Sequence, residues 1–164
     1  MPPAEDLEIR PGWRAGDGKL EADAIAFWKR LGLLPAHVDP EARAKEIVLG
    51  AYKDDRLVGL TTAIVGPLDF LRARFAFLRS AVDPELRRGH AAATMAYHAR
   101  ALLERWSAEH PEEKLAGLGA AIESRQLAEI AREPYWPGTR LMLARFLPDG
   151  RQVRVSWFSH YRVD

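Results

Sequence analysis

Apolar and polar positions along this chain fall into stretches short enough to read one by one. Residues 7–14, LEIRPGWR, alternate weakly and predict a short edge strand, after which Gly16, Asp17 and Gly18 mark a turn. Asp23 is the expected N-cap of a helix that carries Phe27, Trp28 and Leu31 and ends at Gly32. Leu33-Leu34-Pro35 reads as loop, and Asp39-Pro40-Glu41 as the start of a second, shorter helix. Residues 46–66, EIVLGAYKDDRLVGLTTAIVG, hold two β-type runs joined by Lys53-Asp54-Asp55, which predicts a hairpin. A third run, FAFLRSAV, spans 75–82.

The helix that follows places Ala92, Met95, Ala99, Leu102, Leu103 and Trp106 on one stripe at helical spacing, a core face and not a cofactor box. His110-Pro111 ends it. LAGLGAAIES, 115–124, reads as a buried strand, 125–132 as a short helix, and EPYWPG, 133–138, as a rigid turn. A second hairpin closes the chain: TRLMLARF, a Pro148-Asp149-Gly150 turn, and VRVSWFSHYRV. The order is strand, helices, three strands, helix, strand, helix, two strands. That order predicts an α/β (α+β) fold, one mixed sheet with helices packed on it, in a single domain over 1–164.

Composition narrows the chemistry. A chain of 164 residues that is 48% hydrophobic and 29% charged can bury a core and is not of disordered type. With 24 basic against 23 acidic residues it lacks the basic excess of a nucleic-acid binder. No cysteine is present, which excludes disulfides, thiolate metal sites and a cysteine nucleophile. Five histidines, at 37, 90, 98, 110 and 160, show no metal-ligand spacing, so no metal site is expected. No apolar run is long enough for a bilayer and the start has no basic-then-apolar layout; the expectation is a cytoplasmic protein without a membrane partner.

The stretch from Phe77 to Arg105 changes the picture most. A strand passes through Val82-Asp83-Pro84-Glu85 into Arg87-Arg88-Gly89-His90-Ala91-Ala92, where a long helix begins. A helix start leaves backbone N–H groups unpaired, at the positive end of the dipole, and this suits phosphate. Arginines at such an end oppose the dipole unless an anion is present. Ala91, Ala92 and Ala93 leave room for a pyrophosphate to reach backbone.

On these residues the chain resembles the GNAT superfamily of acetyl-CoA-dependent N-acetyltransferases. That family carries a strand, then V-x-P-x-x-R-x-x-G-x-G/A, then a helix. Val82, Pro84, Arg87 and Ala92 stand at the motif's positions, while His90 stands where the family has glycine and Gly89 sits one place early. A loop one residue shorter, with Gly89 in the glycine role, is the alternative; the unshifted register keeps both Arg87 and Ala92 in place. A residue in helical φ/ψ at 90 still donates its N–H. The opening AIAFWKRLGLLP, followed by a hairpin, is also similar to the family's.

The resemblance implies a GNAT-like, mostly antiparallel splayed sheet with acetyl-CoA as co-substrate. It implies that the pantetheine arm lies between strands 75–82 and 115–122 and bonds the backbone near Leu78, Ser80 and Val82. The pyrophosphate would meet Arg87, Arg88, Gly89, His90, Ala91 and Ala92. Glu123, at the end of the strand facing the gap, is the candidate general base; as a bland residue it is an exposed carboxylate ahead of a helix. Tyr135, flanked by Pro134 and Pro137, lies where many members carry a thiolate-protonating tyrosine; otherwise it is a packed turn aromatic. His98 reads as half-buried packing. The tryptophans read as core, with Trp28 and Trp157 the candidates to line an acceptor pocket. The implied function is acetyl transfer to a primary amine, of a small molecule or a peptide. The alternative is a non-catalytic acyl-CoA-binding sensor of the same fold. Pairing of two copies through the C-terminal strands is left open.

Overall fold

The structure is a computed structural model and describes residues 6–87 and 90–164. Its elements are β1 (Glu8–Pro11), α1 (Gly18–Leu31), α2 (Pro40–Ala44), β2 (Ile47–Lys53), β3 (Arg56–Leu68), β4 (Ala73–Val82), α3 (Ala91–Glu109), β5 (Leu115–Ala121), α4 (Arg125–Ile130), β6 (Tyr135–Trp136), β7 (Leu141–Phe146) and β8 (Gln152–Trp157). Among the described residues the strands form one sheet in the order β1-β2-β3-β4-β5-β8-β7-β6. β4 and β5 run parallel, whereas β1–β2, β2–β3, β5–β8, β7–β8 and β6–β7 are antiparallel. The expected mixed, mostly antiparallel sheet with helices is therefore present. Two compact units divide the chain, Met1–Ala63 with Arg79–Leu102 and Ile64–Leu78 with Leu103–Asp164.

In the first unit, Asp17 caps α1, accepting from the N–H groups of Lys19 at 3.1 Å and Leu20 at 3.2 Å. The expected cap, Asp23, lies inside the helix. Leu20 is core, so the helix must begin before it, and the Gly16-Asp17-Gly18 run is the cap rather than a separate turn. Gly32, at φ 64, ends the helix as anticipated. Leu20, Ala24, Phe27 and Trp28 pack with Ile47, Tyr52, Leu57 and Leu60. Trp28 is thus core, as the tryptophans were mainly expected to be.

The 46–66 hairpin forms with Asp54 and Asp55 as a two-residue turn, both at positive φ (50 and 58) between the paired Lys53 and Arg56. Positive φ at both central residues is the pattern of a type I′ turn, whose twist matches the strands. On α3 the buried row is Ala91, Met95, Ala99, Leu103 and Ser107, an i,i+4 line. Ala92 faces solvent, and Leu102 and Trp106 are only half-buried, so the core stripe sits one residue earlier than its expected start.

In the second unit, Phe75, Ala116 and Val155 form the core, with Trp157 edge-on to Phe75 at 5.0 Å between centroids. β5 stops at Ala121, not at 124, because Ser124 caps α4 by accepting from Leu127 N–H at 3.1 Å. The segment read as a rigid turn contains a strand, β6, in which Tyr135 and Trp136 pair with Met142 and Leu141. β8 ends at Trp157, and the Ser159 N–H that follows is taken by the Glu104 carboxylate at 2.7 Å.

Gly117 of β5 is pressed against β8. A Cβ there would collide with the backbone carbonyl of Ser156, which cannot swing aside. Gly117→Ala should destabilise the protein by about 3 kcal/mol, since overpacking against fixed backbone has no side-chain relief. Chemical denaturation checks this, with Gly66→Ala, where the Cβ would meet open space, as the control.

Candidate functional site

The first unit holds the strand end, the turn and the start of α3. Asp83 closes β4 and is almost fully buried. Its N–H donates to Val58 C=O at 2.7 Å, and its C=O accepts from Leu86 N–H at 2.9 Å. One carboxylate oxygen accepts from Glu85 N–H at 3.1 Å; the other accepts from Arg30 and Arg56, both at 2.9 Å. Asp83 therefore ties the turn to α1 through Arg30 and to β3 through Arg56. The Glu85 N–H and the two guanidiniums outweigh burial and hold its carboxyl below the usual carboxylate range.

Beyond Asp83, Arg87 is exposed and donates from Nε to Val82 C=O at 3.3 Å. That bond brings the side chain back to the end of β4. Thr94 N–H donates to His90 C=O at 2.9 Å, which places the start of the α3 ladder at His90. The amides of the first turn are those a helix leaves open, and they carry the positive end of the dipole. His90, Ala92 and Ala93 are exposed here, while the Ala91 side chain is buried and can offer a ligand only its N–H. Arg88 and Gly89 lie outside the described residues.

The strand leading to this turn has an informative register. Pairing of β4 with β5 runs from Arg74↔Leu115 to Phe77↔Gly119, yet β4 continues to Val82. Leu78, Ser80 and Val82, the residues expected to meet a pantetheine arm, all lie past the last of these pairs. Leu78 and Val82 are half-buried; Ser80 is exposed, with its hydroxyl 3.0 Å from that of Thr61.

An open cleft of about 370 Å³ lies in the same unit, lined by Asp23, Phe27, Arg30, Asp55, Arg56 and Leu57 among others. Among the described residues, none of those expected from the sequence to bind or react lines it. Asp23 there accepts from Tyr52 Oη at 2.7 Å and Lys19 Nζ at 2.6 Å. Burial raises the Tyr52 pKa and the Asp23 bond adds to the rise. Burial also pushes Asp23 upward, but the bonds from Lys19 and Tyr52 prevail and hold it low.

The second unit carries the two residues expected to move protons. Glu123 follows β5, anchored by Ile122 N–H donating to Gln152 C=O at 2.9 Å. Its carboxylate is exposed, 3.7 Å from Arg151 Nη1. Tyr135 projects from β6 with 46% of its surface open. Trp157 is half-buried and stacks on Tyr161 at 5.8 Å, while His98 is half-buried on α3 as expected.

Four polar residues that position these segments were not singled out from the sequence: Asp83 with its arginine partners Arg30 and Arg56, and Arg154. Asp83 could have been found from the Asp-Pro step at a strand end, a cap signal. Nothing in the pattern marks the arginines. Among the described residues no group of three His, Asp or Glu is placed to hold a metal ion, and no helix is long and apolar enough to cross a membrane.

No protein-family model and no curated protein matches the chain. Solved structures do. An acetyltransferase of the GNAT family from Streptococcus pneumoniae superposes with TM-score 0.58 at 12% identity, over 92% of this chain and 96% of that one. A ribosomal-protein alanine N-acetyltransferase from Escherichia coli gives 0.52 at 18%, over 95% and 96%. A variant of the AtaT toxin, bound to the C-terminus of the antitoxin AtaR and acetyl-CoA, gives 0.57 at 13%, over 94% of each chain.

Proposed function

We infer that this chain, whose fold is that of the GNAT superfamily, transfers an acetyl group from acetyl-CoA to a primary amine. The observation that carries the reading is the course of β4. It outruns its last β5 partner by the five residues from Leu78 to Val82, then turns through Asp83 into the start of α3. An arm rich in amides can add to the free strand edge, and an anion can bind at the helix start beside it. Val82, Arg87 and Ala92 at the motif's spacing, and acetyl-CoA in the AtaT structure, support the same coenzyme.

In the proposed reaction the arm bonds backbone at Leu78, Ser80 and Val82. Arg87, with Arg88, Gly89 and the amides of His90, Ala91 and Ala92, holds the pyrophosphate. The amine attacks the thioester carbonyl carbon, forming the C–N bond and a tetrahedral oxyanion; a backbone N–H of β4 stabilises that charge. Glu123 takes the proton that the amine loses, directly or through water. Collapse breaks the C–S bond, and Tyr135 gives the departing thiolate its proton. The acceptor is a small-molecule or peptide amine.

Glu123→Gln should lower kcat by roughly a hundredfold, as loss of a general base does, and leave acetyl-CoA affinity unchanged. Steady-state rates paired with calorimetric titration test it. A surviving rate would place the base elsewhere.

A further inference from the structure

Arg154 is completely buried. It sits in β8, opposite Ala120 of β5 on one side and Leu143 of β7 on the other. Its Nε donates to Gln152 Oε1 at 2.8 Å, Nη2 to Glu133 C=O at 2.9 Å and Nη1 to Pro134 C=O at 3.3 Å. The guanidinium lies 3.8 Å from the centroid of Trp136. Carbonyl dipoles and a ring face thus solvate a cation that would otherwise be costly to bury.

What these bonds hold is the backbone on either side of Tyr135. Arg154 takes the carbonyls at 133 and 134 and stacks on the ring at 136. Pro134 C=O also accepts from Leu143 N–H at 2.7 Å, and Trp136 Nε1 donates to Ala131 C=O at 3.2 Å. Two prolines already restrict the segment. Between these fixed neighbours, the Tyr135 side chain remains open. A three-way donor fork is a device that lysine or methionine cannot reproduce.

We propose that Arg154 is a positioning residue for Tyr135, setting where its hydroxyl stands when the thiolate leaves; this rests on the thiolate-protonating role given to Tyr135 above. Arg154 is completely buried and acts through other residues. Its effect passes through the backbone of residues 133–136, and small displacements of a reacting group cost large factors in rate.

The test compares Arg154→Met, Tyr135→Phe and the double variant by kcat, pH profile, acetyl-CoA affinity and hydrogen exchange at residues 131–136. Methionine keeps the site filled but leaves Glu133 C=O and Gln152 Oε1 without their donor, so thermal denaturation first checks that the variant is folded. Arg154→Lys, which keeps the charge and loses the fork, is measured beside it and carries the same expectations where Arg154→Met does not fold. Arg154→Met is expected to speed exchange at 131–136 and leave coenzyme affinity within twofold. It should lower kcat about tenfold and shift the basic limb of the pH profile as Tyr135→Phe does. The double variant should be no slower than Tyr135→Phe alone, since both changes remove one function. Unchanged exchange, unchanged kcat in Arg154→Met alone, or losses that multiply in the double variant would overturn the positioning role. If instead Tyr135→Phe itself leaves rate and profile intact, the acid assignment falls, and the proposal with it.

Discussion

Arg87→Glu should weaken acetyl-CoA binding by roughly a hundredfold while leaving the fold in place. Arg87 is exposed and the described hydrogen bond of its side chain is the 3.3 Å contact from Nε to Val82 C=O, so little stability depends on that side chain. At the turn before α3 it would make charge-assisted bonds to the pyrophosphate, each worth about 1.5–3 kcal/mol. Reversal removes the bond and sets a carboxylate against a dianion; a loss of about 3 kcal/mol is about two orders of magnitude in affinity. Arg87→Gln should fall between, retaining a donor without the charge. Calorimetric titration separates the three proteins. Equal affinities would mean that the coenzyme does not use this turn.

Asp83→Ala should cost about 2 kcal/mol of folding stability, lowering Tm by roughly 4–8 °C for a chain of this size. The change removes the acceptor for Glu85 N–H and leaves Arg30 and Arg56 without their shared partner. Because both guanidiniums are about half exposed, they regain water, and the loss stays below that of a wholly buried pair. Asp83→Asn keeps an acceptor for Glu85 N–H but no charge, and should lose less. The pH dependence has a definite sign. Asp83 titrates lower in the folded protein than in the unfolded chain, so its contribution is fully present above the unfolded value near about 4 and is lost as pH falls through the folded one. The stability gap between the native protein and Asp83→Asn should be flat from pH 7 to about 5 and close at lower pH. A gap that persists unchanged into acid would show that the carboxylate's charge is not what holds the turn.

How far the sequence could be read depended on whether a segment's neighbours in sequence were also its neighbours in space. The Ile47–Leu68 hairpin was legible because its two apolar runs and the Asp54-Asp55 step are local. The cap of α1 was misread because Asp17 and Asp23 are equal as cap residues. Only the burial of Leu20 against Ile47 and Leu57, a long-range contact, chooses between them. β6 escaped notice for the same reason. Two residues between prolines have no strand signature, and what extends them is pairing with β7 together with the grip of Arg154, 18 or more residues away. Around the candidate site, the residues in the motif could be named, since a strand–turn–helix is contiguous. Asp83 could be read only as part of that motif, because its arginine partners come from 27 and 53 positions away. A single buried arginine in VRVSW reads as the polar side of an alternating strand, although Val153, Arg154, Val155 and Ser156 are all buried.

The central claim is that this turn and strand edge hold acetyl-CoA for transfer to an amine. Its most direct test is thiol release from acetyl-CoA across a panel of small-molecule and peptide amines, run beside a calorimetric titration with the coenzyme alone. The prediction is saturable binding, with thiol release that depends on at least one amine and is lost in parallel with binding in Arg87→Glu. Binding without release on any amine would leave a coenzyme sensor, and an absence of binding would contradict the account altogether.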